Sequence, residues 1–162
     1  MSRQIAVEVS ETAAGDVPRP GDDRIGDWVA AALEAADAQR GRDLEVAVLL
    51  ADAAAVAAMN RDYRGKDRPT NVLSFPGGPM DGLPPETALQ LGDIVLCPSV
   101  IAAEAREQGK KSDDHWAHLC VHGALHLAGY DHDNDADAAV MESLEVRILG
   151  ALGIPDPYQV SQ

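Results

Sequence analysis

The sequence predicts an α+β fold, and three observations lead to it. Four short segments carry strand-like apolar patterns, about five longer segments carry helical spacing, and the two kinds are mixed along the chain. The length of 162 residues, 46% of them apolar, suits one compact domain spanning 1–162 with a real core. The expected architecture is a mixed β-sheet of about four strands packed with about five helices.

Ile5, Val7 and Val9 share one face of a period-two segment, which predicts a strand over 3–10. Residues 11–23, rich in Gly, Pro and Asp, read as a loop. Ile25, Trp28, Val29, Ala32, Leu33 and Ala36 recur at helical spacing, predicting a helix from Ile25 to Gln39 with Gly41 as its stop. Leu44 to Leu50 has little polar alternation and reads as a central strand buried on both faces. Asp52 is placed to cap a helix running to Tyr63, followed by a turn through Gly65 to Pro69.

Asn71 to Phe75 is a short strand, and Gly77 to Gln90 reads as a mobile loop. Leu91 to Cys97 is the last strand, and Pro98 with Ser99 opens a helix to Gln108. A long helix opens at Asp113 or Asp114 and ends near Gly129, and an amphipathic helix runs from Asp135 to Leu149.

Composition narrows the function. The N-terminal residues Met1 to Ser10 alternate apolar and polar types, unlike a secretory signal. No apolar stretch approaches the roughly 20 residues needed to span a bilayer, so no membrane partner is expected. The two cysteines, Cys97 and Cys120, are too few for a disulfide framework, and a cytoplasmic protein is the simplest expectation. A net charge of -14 argues against non-specific attraction to nucleic acid. Local sign differs: Arg61, Arg64, Lys66 and Arg68 crowd together, and Arg106, Lys110 and Lys111 form a second basic stretch. Either stretch could hold a polyanion.

All five histidines fall between His115 and His132. His122 and His126 are one helical turn apart, about 40° around the axis and roughly 6 Å along it. Imidazoles so placed can reach one ion through metal–nitrogen bonds of roughly 2.0–2.1 Å. Gly129 supplies the left-handed conformation that ends a helix, and the chain can then turn back to bring His132 as a third ligand. The spacing from His122 to His132 is H-x-x-x-H-x-x-G-x-x-H, the ligand spacing of metzincin peptidases, but the place of their glutamate general base holds Gly123. Three neutral ligands and an open position mark a catalytic ion, most simply zinc, one per chain. Such an ion lowers the pKa of bound water to about 7.

The competing set His118, His122, His126 is disfavoured, because its outer members would stand about 12 Å apart along the axis. His118 is then a neighbour whose role stays open, and His115 is expected to face solvent. Gly123 costs about 1 kcal/mol inside a helix. It serves either to leave room above the metal for a bulky substrate or to allow close packing against another segment. On the residues alone, Arg64 reads as a surface arginine in a solvated turn. Asp131 could orient a histidine or serve its own turn, Asp93 reads as a structural carboxylate, and Met141 reads as core.

The stretch His118-Leu-Cys-Val-His122-Gly-Ala-Leu-His126-Leu-Ala-Gly-Tyr-Asp-His132 resembles the signature of the YbeY family of endoribonucleases, the bacterial rRNA maturation factors. Met59-Asn60, the run from Tyr63 to Pro76, and Leu91-Gly-Asp-Ile94 agree with it in the family's order. The resemblance covers most of the chain from residue 44 onward. It implies a metal-dependent endoribonuclease that cuts single-stranded RNA and matures ribosomal RNA, chiefly the 3′ end of the small-subunit 16S rRNA, with a part in ribosome quality control. It further implies zinc on His122, His126 and His132, a functional Arg64, and the small ribosomal subunit with its proteins as partners; no DNA partner is expected. The alternatives are a ribosome-assembly factor with a structural metal, suited by acidity to basic partners, and a metalloprotease, which Gly123 disfavours.

Overall fold

The computed structural model describes residues 3–12, 17–39, 41–77, 84 and 86–159. Strands β1 (Ile5–Thr12), β2 (Leu44–Ala51), β3 (Val72–Pro76) and β4 (Leu89–Leu96) form one sheet in the order β1-β2-β4-β3. β2 runs parallel to β1 and β4, while β3 lies antiparallel to β4 at the edge, so the sheet is mixed as expected. Among the described residues there are five helices: α1 (Asp22–Ala35), α2 (Ala53–Arg64), α3 (Pro98–Gln108), α4 (Ser112–Leu127) and α5 (Asp135–Ala151).

Several boundaries follow directly from local chemistry. The Asp52 carboxylate accepts the Ala55 backbone N–H at 2.8 Å and starts α2 where the sequence placed its cap. Pro98 occupies the first turn of α3, where its missing N–H costs nothing. Asn134 caps α5 by accepting the Asp137 N–H at 2.8 Å. Other boundaries move. α1 begins at Asp22, because its first turn is acidic and carries no apolar period. It stops at Ala35 rather than Gln39, since Asp37 and Gln39 adopt positive φ and break the helix despite the alanine-rich sequence. α4 begins at Ser112, with Asp113 and Asp114 inside its first turn rather than capping it. Half of the expected loop over 77–90 lies outside the described residues, and its last two residues belong to β4.

The core has two layers, divided by side-chain parity in the strands. Val46, Val48, Leu50, Ile94 and Leu96 face a large cluster built with α1, α4 and α5. Ala51, Val95 and Cys97 face the opposite side, where Val56 of α2 joins Leu73 in a smaller cluster. β2 is central, but it is not buried on both faces throughout: Glu45 and Ala47 are exposed. Only its C-terminal end is covered twice.

α4 is the hub, packed against α1, α3, α5, β3 and β4. A helix apolar nearly all round must be enclosed, and His115 is enclosed with it. Contrary to the expectation of a solvent-facing ring, His115 is only 4% exposed, and its Nε2 meets Glu104 Oε1 at 2.9 Å. Burial lowers its pKa, outweighing the carboxylate. Both cysteines are buried free thiols, and no helix among the described residues is long and apolar enough to cross a membrane.

Candidate metal centre

The end of α4 is built to turn the chain back on itself. Gly129 takes φ 101°, its N–H reaches the His126 carbonyl at 3.1 Å, and the Tyr130 N–H reaches the Leu125 carbonyl at 3.0 Å. This crossed pair is a Schellman motif, and it satisfies carbonyls that the helix end leaves open. Asp131 then folds the following turn by accepting the Asp133 N–H at 2.9 Å, so of its two expected roles the structure displays the turn.

The result is a three-histidine cluster. Ring centroids are separated by 4.7 Å for His122 and His126, 4.9 Å for His126 and His132, and 5.4 Å for His122 and His132. One nitrogen from each ring lies within 4.8 Å of the others, the spread that ligands to a single ion require. Burial, and then the neighbouring His122 and His132, lower the His126 pKa to about 4. Its imidazole is therefore neutral at pH 7, the form that binds metal.

His122 is held from behind. Its Nδ1 stands 3.1 Å from Oε1 of Glu145, a fully buried carboxylate on α5. Burial works to raise the Glu145 pKa, but hydrogen bonds from His118 and His122 prevail and hold it at about 2. His118 therefore belongs with Glu145, at 2.8 Å, rather than with His122 and His126 around one ion. Met141 is core, as expected, and it also lines a small cavity with His122, His132 and Glu145. Glu145 escaped the sequence reading. Its signal was a lone carboxylate among Met141, Leu144, Ile148 and Leu149 on the buried face of α5.

A cleft of about 540 Å³ opens over the cluster, lined by His122, His126 and His132 on one side and by Tyr63, Arg64 and β3 on the other. Arg64 is the exposed last residue of α2, and Gly65 ends that helix in the left-handed conformation at φ 74°. Arg61 is engaged by Asp62 at 3.3 Å and Asp67 at 4.0 Å. The Arg64 guanidinium, by contrast, has no ion pair or hydrogen bond among the described residues. Tyr63 is 54% exposed and tilts against Phe75 with centroids 4.5 Å apart. The second basic stretch lies elsewhere: Lys110 and Lys111 line a separate cleft with Tyr158. Asp93 is an exposed residue of β4.

Gly123 proves to be a packing residue. A Cβ there would stand 3.0 Å from Ile94 Cγ2, 3.2 Å from Val72 Cγ2 and 3.3 Å from Ser74 Oγ. Ser74 also donates its hydroxyl to the Gly123 carbonyl at 3.0 Å, tying β3 to α4. A glutamate side chain at this place would run into the sheet, which removes the peptidase-type base from the site. Gly123→Val is expected to destabilise the metal-free protein by about 1–3 kcal/mol through overpacking. Urea unfolding in excess chelator measures this, and an unchanged midpoint would contradict the close approach.

Fold and site together define an α+β protein with a three-histidine cluster, spaced so that it could hold a metal ion, set in an open cleft. The sequence pattern described as Endoribonuclease YbeY matches residues 15–153. Proteins named Endoribonuclease YbeY are 54% identical over 140 residues in Halorhodospira halophila, spanning 86% of this chain and 88% of that one. In Paramagnetospirillum magneticum the identity is 48% over 157 residues, spanning 96% and 95%. The solution structure of TM1509 from Thermotoga maritima shares the fold, with a TM-score of 0.56 at 24% identity over 96% of this chain and 99% of that one. The chain belongs to the YbeY endoribonuclease family.

Proposed function

We propose that this protein is a zinc-dependent endoribonuclease that cuts single-stranded RNA in precursor ribosomal RNA, including the 3′ end of 16S rRNA. It works in the cytoplasm on the small ribosomal subunit and its proteins, and takes part in ribosome quality control. The names of its relatives support the reaction class. The observation that carries the reading is one cleft shared by three histidines at ligand spacing and an arginine that has no ion pair or hydrogen bond among the described residues.

His122, His126 and His132 would hold the ion, which supplies Lewis-acid polarisation of the phosphodiester and charge neutralisation when bound. Arg64 faces them across the cleft. Its planar fork can take two phosphate oxygens at once and offset the negative charge that grows in the transition state. Tyr63, exposed beside it, offers a ring face on which an unpaired base stacks, an interaction worth about 1–3 kcal/mol per base. A duplex cannot splay a base onto that ring without unpairing, which favours single strands.

Untagged protein is expected to carry about one zinc per chain by elemental analysis. It should cleave a single-stranded rRNA fragment far faster than its duplex, lose cleavage to a chelator and regain it with zinc. Zinc-loaded protein that cleaves no RNA would overturn the reading. The charge of -14 favours one other reading, an assembly factor for basic ribosomal proteins in which the metal only stabilises the fold. A metal-ligand variant that still restores ribosome maturation in cells would select that alternative.

A further inference from the structure

Glu145 occupies a position where a carboxylate is costly. It shares the apolar face of α5 with Met141, Leu144, Ile148 and Leu149, at 0% exposure. A buried charge is strongly disfavoured unless it is paired and hydrogen-bonded. Three donors meet that demand. Oε1 takes His122 Nδ1 at 3.1 Å, and Oε2 takes His118 Nε2 and the Tyr158 hydroxyl, each at 2.8 Å.

Counting protons fixes the roles. Tyr158 has one hydroxyl hydrogen, and it goes to Glu145. The His118 Nε2–H must then fork between Glu145 and the Tyr158 oxygen, which lies 3.1 Å away. His122 donates from Nδ1, which leaves Nε2 bare, and its ring stands against those of His126 and His132. A carboxylate behind a metal-binding histidine selects the tautomer, fixes the ring and raises the basicity of the ligand nitrogen. Here the carboxylate is itself fixed from outside the helical layer, by a tyrosine in the segment that follows α5.

We propose that Glu145 is the positioning residue of the metal centre, presenting Nε2 of His122 to the ion, and that Tyr158 locks Glu145 in that role so that docking of the C-terminal segment sets metal affinity. The proposal rests on the three-histidine site. Glu145→Gln keeps the shape but turns an amide N–H₂ toward one of three donors, so the network closes only if that group accepts instead, which for His122 moves the proton onto Nε2. Tyr158→Phe removes a single hydroxyl from a residue already 42% exposed.

The test is zinc competition against a chromophoric chelator for the parent protein and both variants. It is paired with visible spectra of the cobalt forms and thermal unfolding of the metal-free forms. Glu145→Gln should weaken metal binding about 10–100-fold, with a shifted cobalt spectrum. Tyr158→Phe should weaken it about three- to tenfold, a part of the one charge-assisted hydrogen bond lost. If Glu145→Gln does not fold, Tyr158→Phe alone decides. Parent-like affinity and spectra in the folded variants would overturn the proposal while leaving the three-histidine site intact. A parent protein that binds no ion would overturn both. Two ions per chain, one lost with Glu145→Gln, would make Glu145 a ligand of a second site and likewise overturn it.

Discussion

His132→Ala is expected to yield a folded protein that loses its ion on dialysis and cleaves RNA about 10³-fold more slowly or worse. The ion is asked to supply several kcal/mol of transition-state stabilisation, and each 1.36 kcal/mol is worth about tenfold. His132 is the ligand to remove because it is exposed, on the turn after α4, and outside both core clusters. Its loss should not disturb packing. Stability supplies an independent readout. A ligand that binds only the folded state, at about 100 times its dissociation constant, adds about 2.7 kcal/mol. The parent protein should show that gain on adding zinc, and His132→Ala should show little. If the variant keeps its ion and its rate, the ligand set is wrong, and the hydrolase reading loses its foundation.

The second large effect belongs to Arg64. Arg64→Ala is expected to keep its metal and its fold while kcat falls about 10²–10³-fold, the usual consequence of removing one charge-stabilising donor. The side chain is exposed at the end of α2, so its structural cost is confined to a favourable interaction with the helix terminus of about 0.3–1 kcal/mol. Arg64→Lys separates charge from geometry. A lysine retains the positive charge but not the two-point grip, and should recover only a small part of the rate. Single-turnover cleavage of a defined RNA, with metal content measured on the same samples, is the assay. A parent-like rate in Arg64→Ala would return this residue to the solvated surface from which the sequence alone could not distinguish it.

The parts of this protein legible in its sequence are those governed by short-range chemistry. Asp52 as a cap, Pro98 as a helix opener and Gly129 as a helix stop each act through neighbouring backbone, and each sits where its chemistry places it. The spacing of His122, His126 and His132 likewise foretold a cluster, because one helical turn and one Schellman turn are enough to assemble it. What was illegible depends on contacts between distant segments. His115 looked like a surface residue until α3 brought Glu104 to it. Gly123 had two readings until β3 and β4 closed on it. Glu145 and Tyr158 lie well beyond the histidine motif, and no periodicity within α4 points to them. β4 begins two residues before the expected Leu91 for the same reason, because Leu89 and Gln90 pair with Leu44 and Glu45 ahead of a β-bulge.

The Schellman turn has a kinetic consequence. Two of the three histidines ride on a helix enclosed by its neighbours, so their separation is fixed before any ion arrives. The third sits within ligand reach of the other two but is carried on a short exposed turn. If the cluster holds the proposed ion, exchange would depend on how often that one arm lets go. Substitutions at Gly129, Tyr130 or Asp131 would then change residence time without altering a single donor atom, giving the proposed centre an adjustable latch beside a rigid jaw.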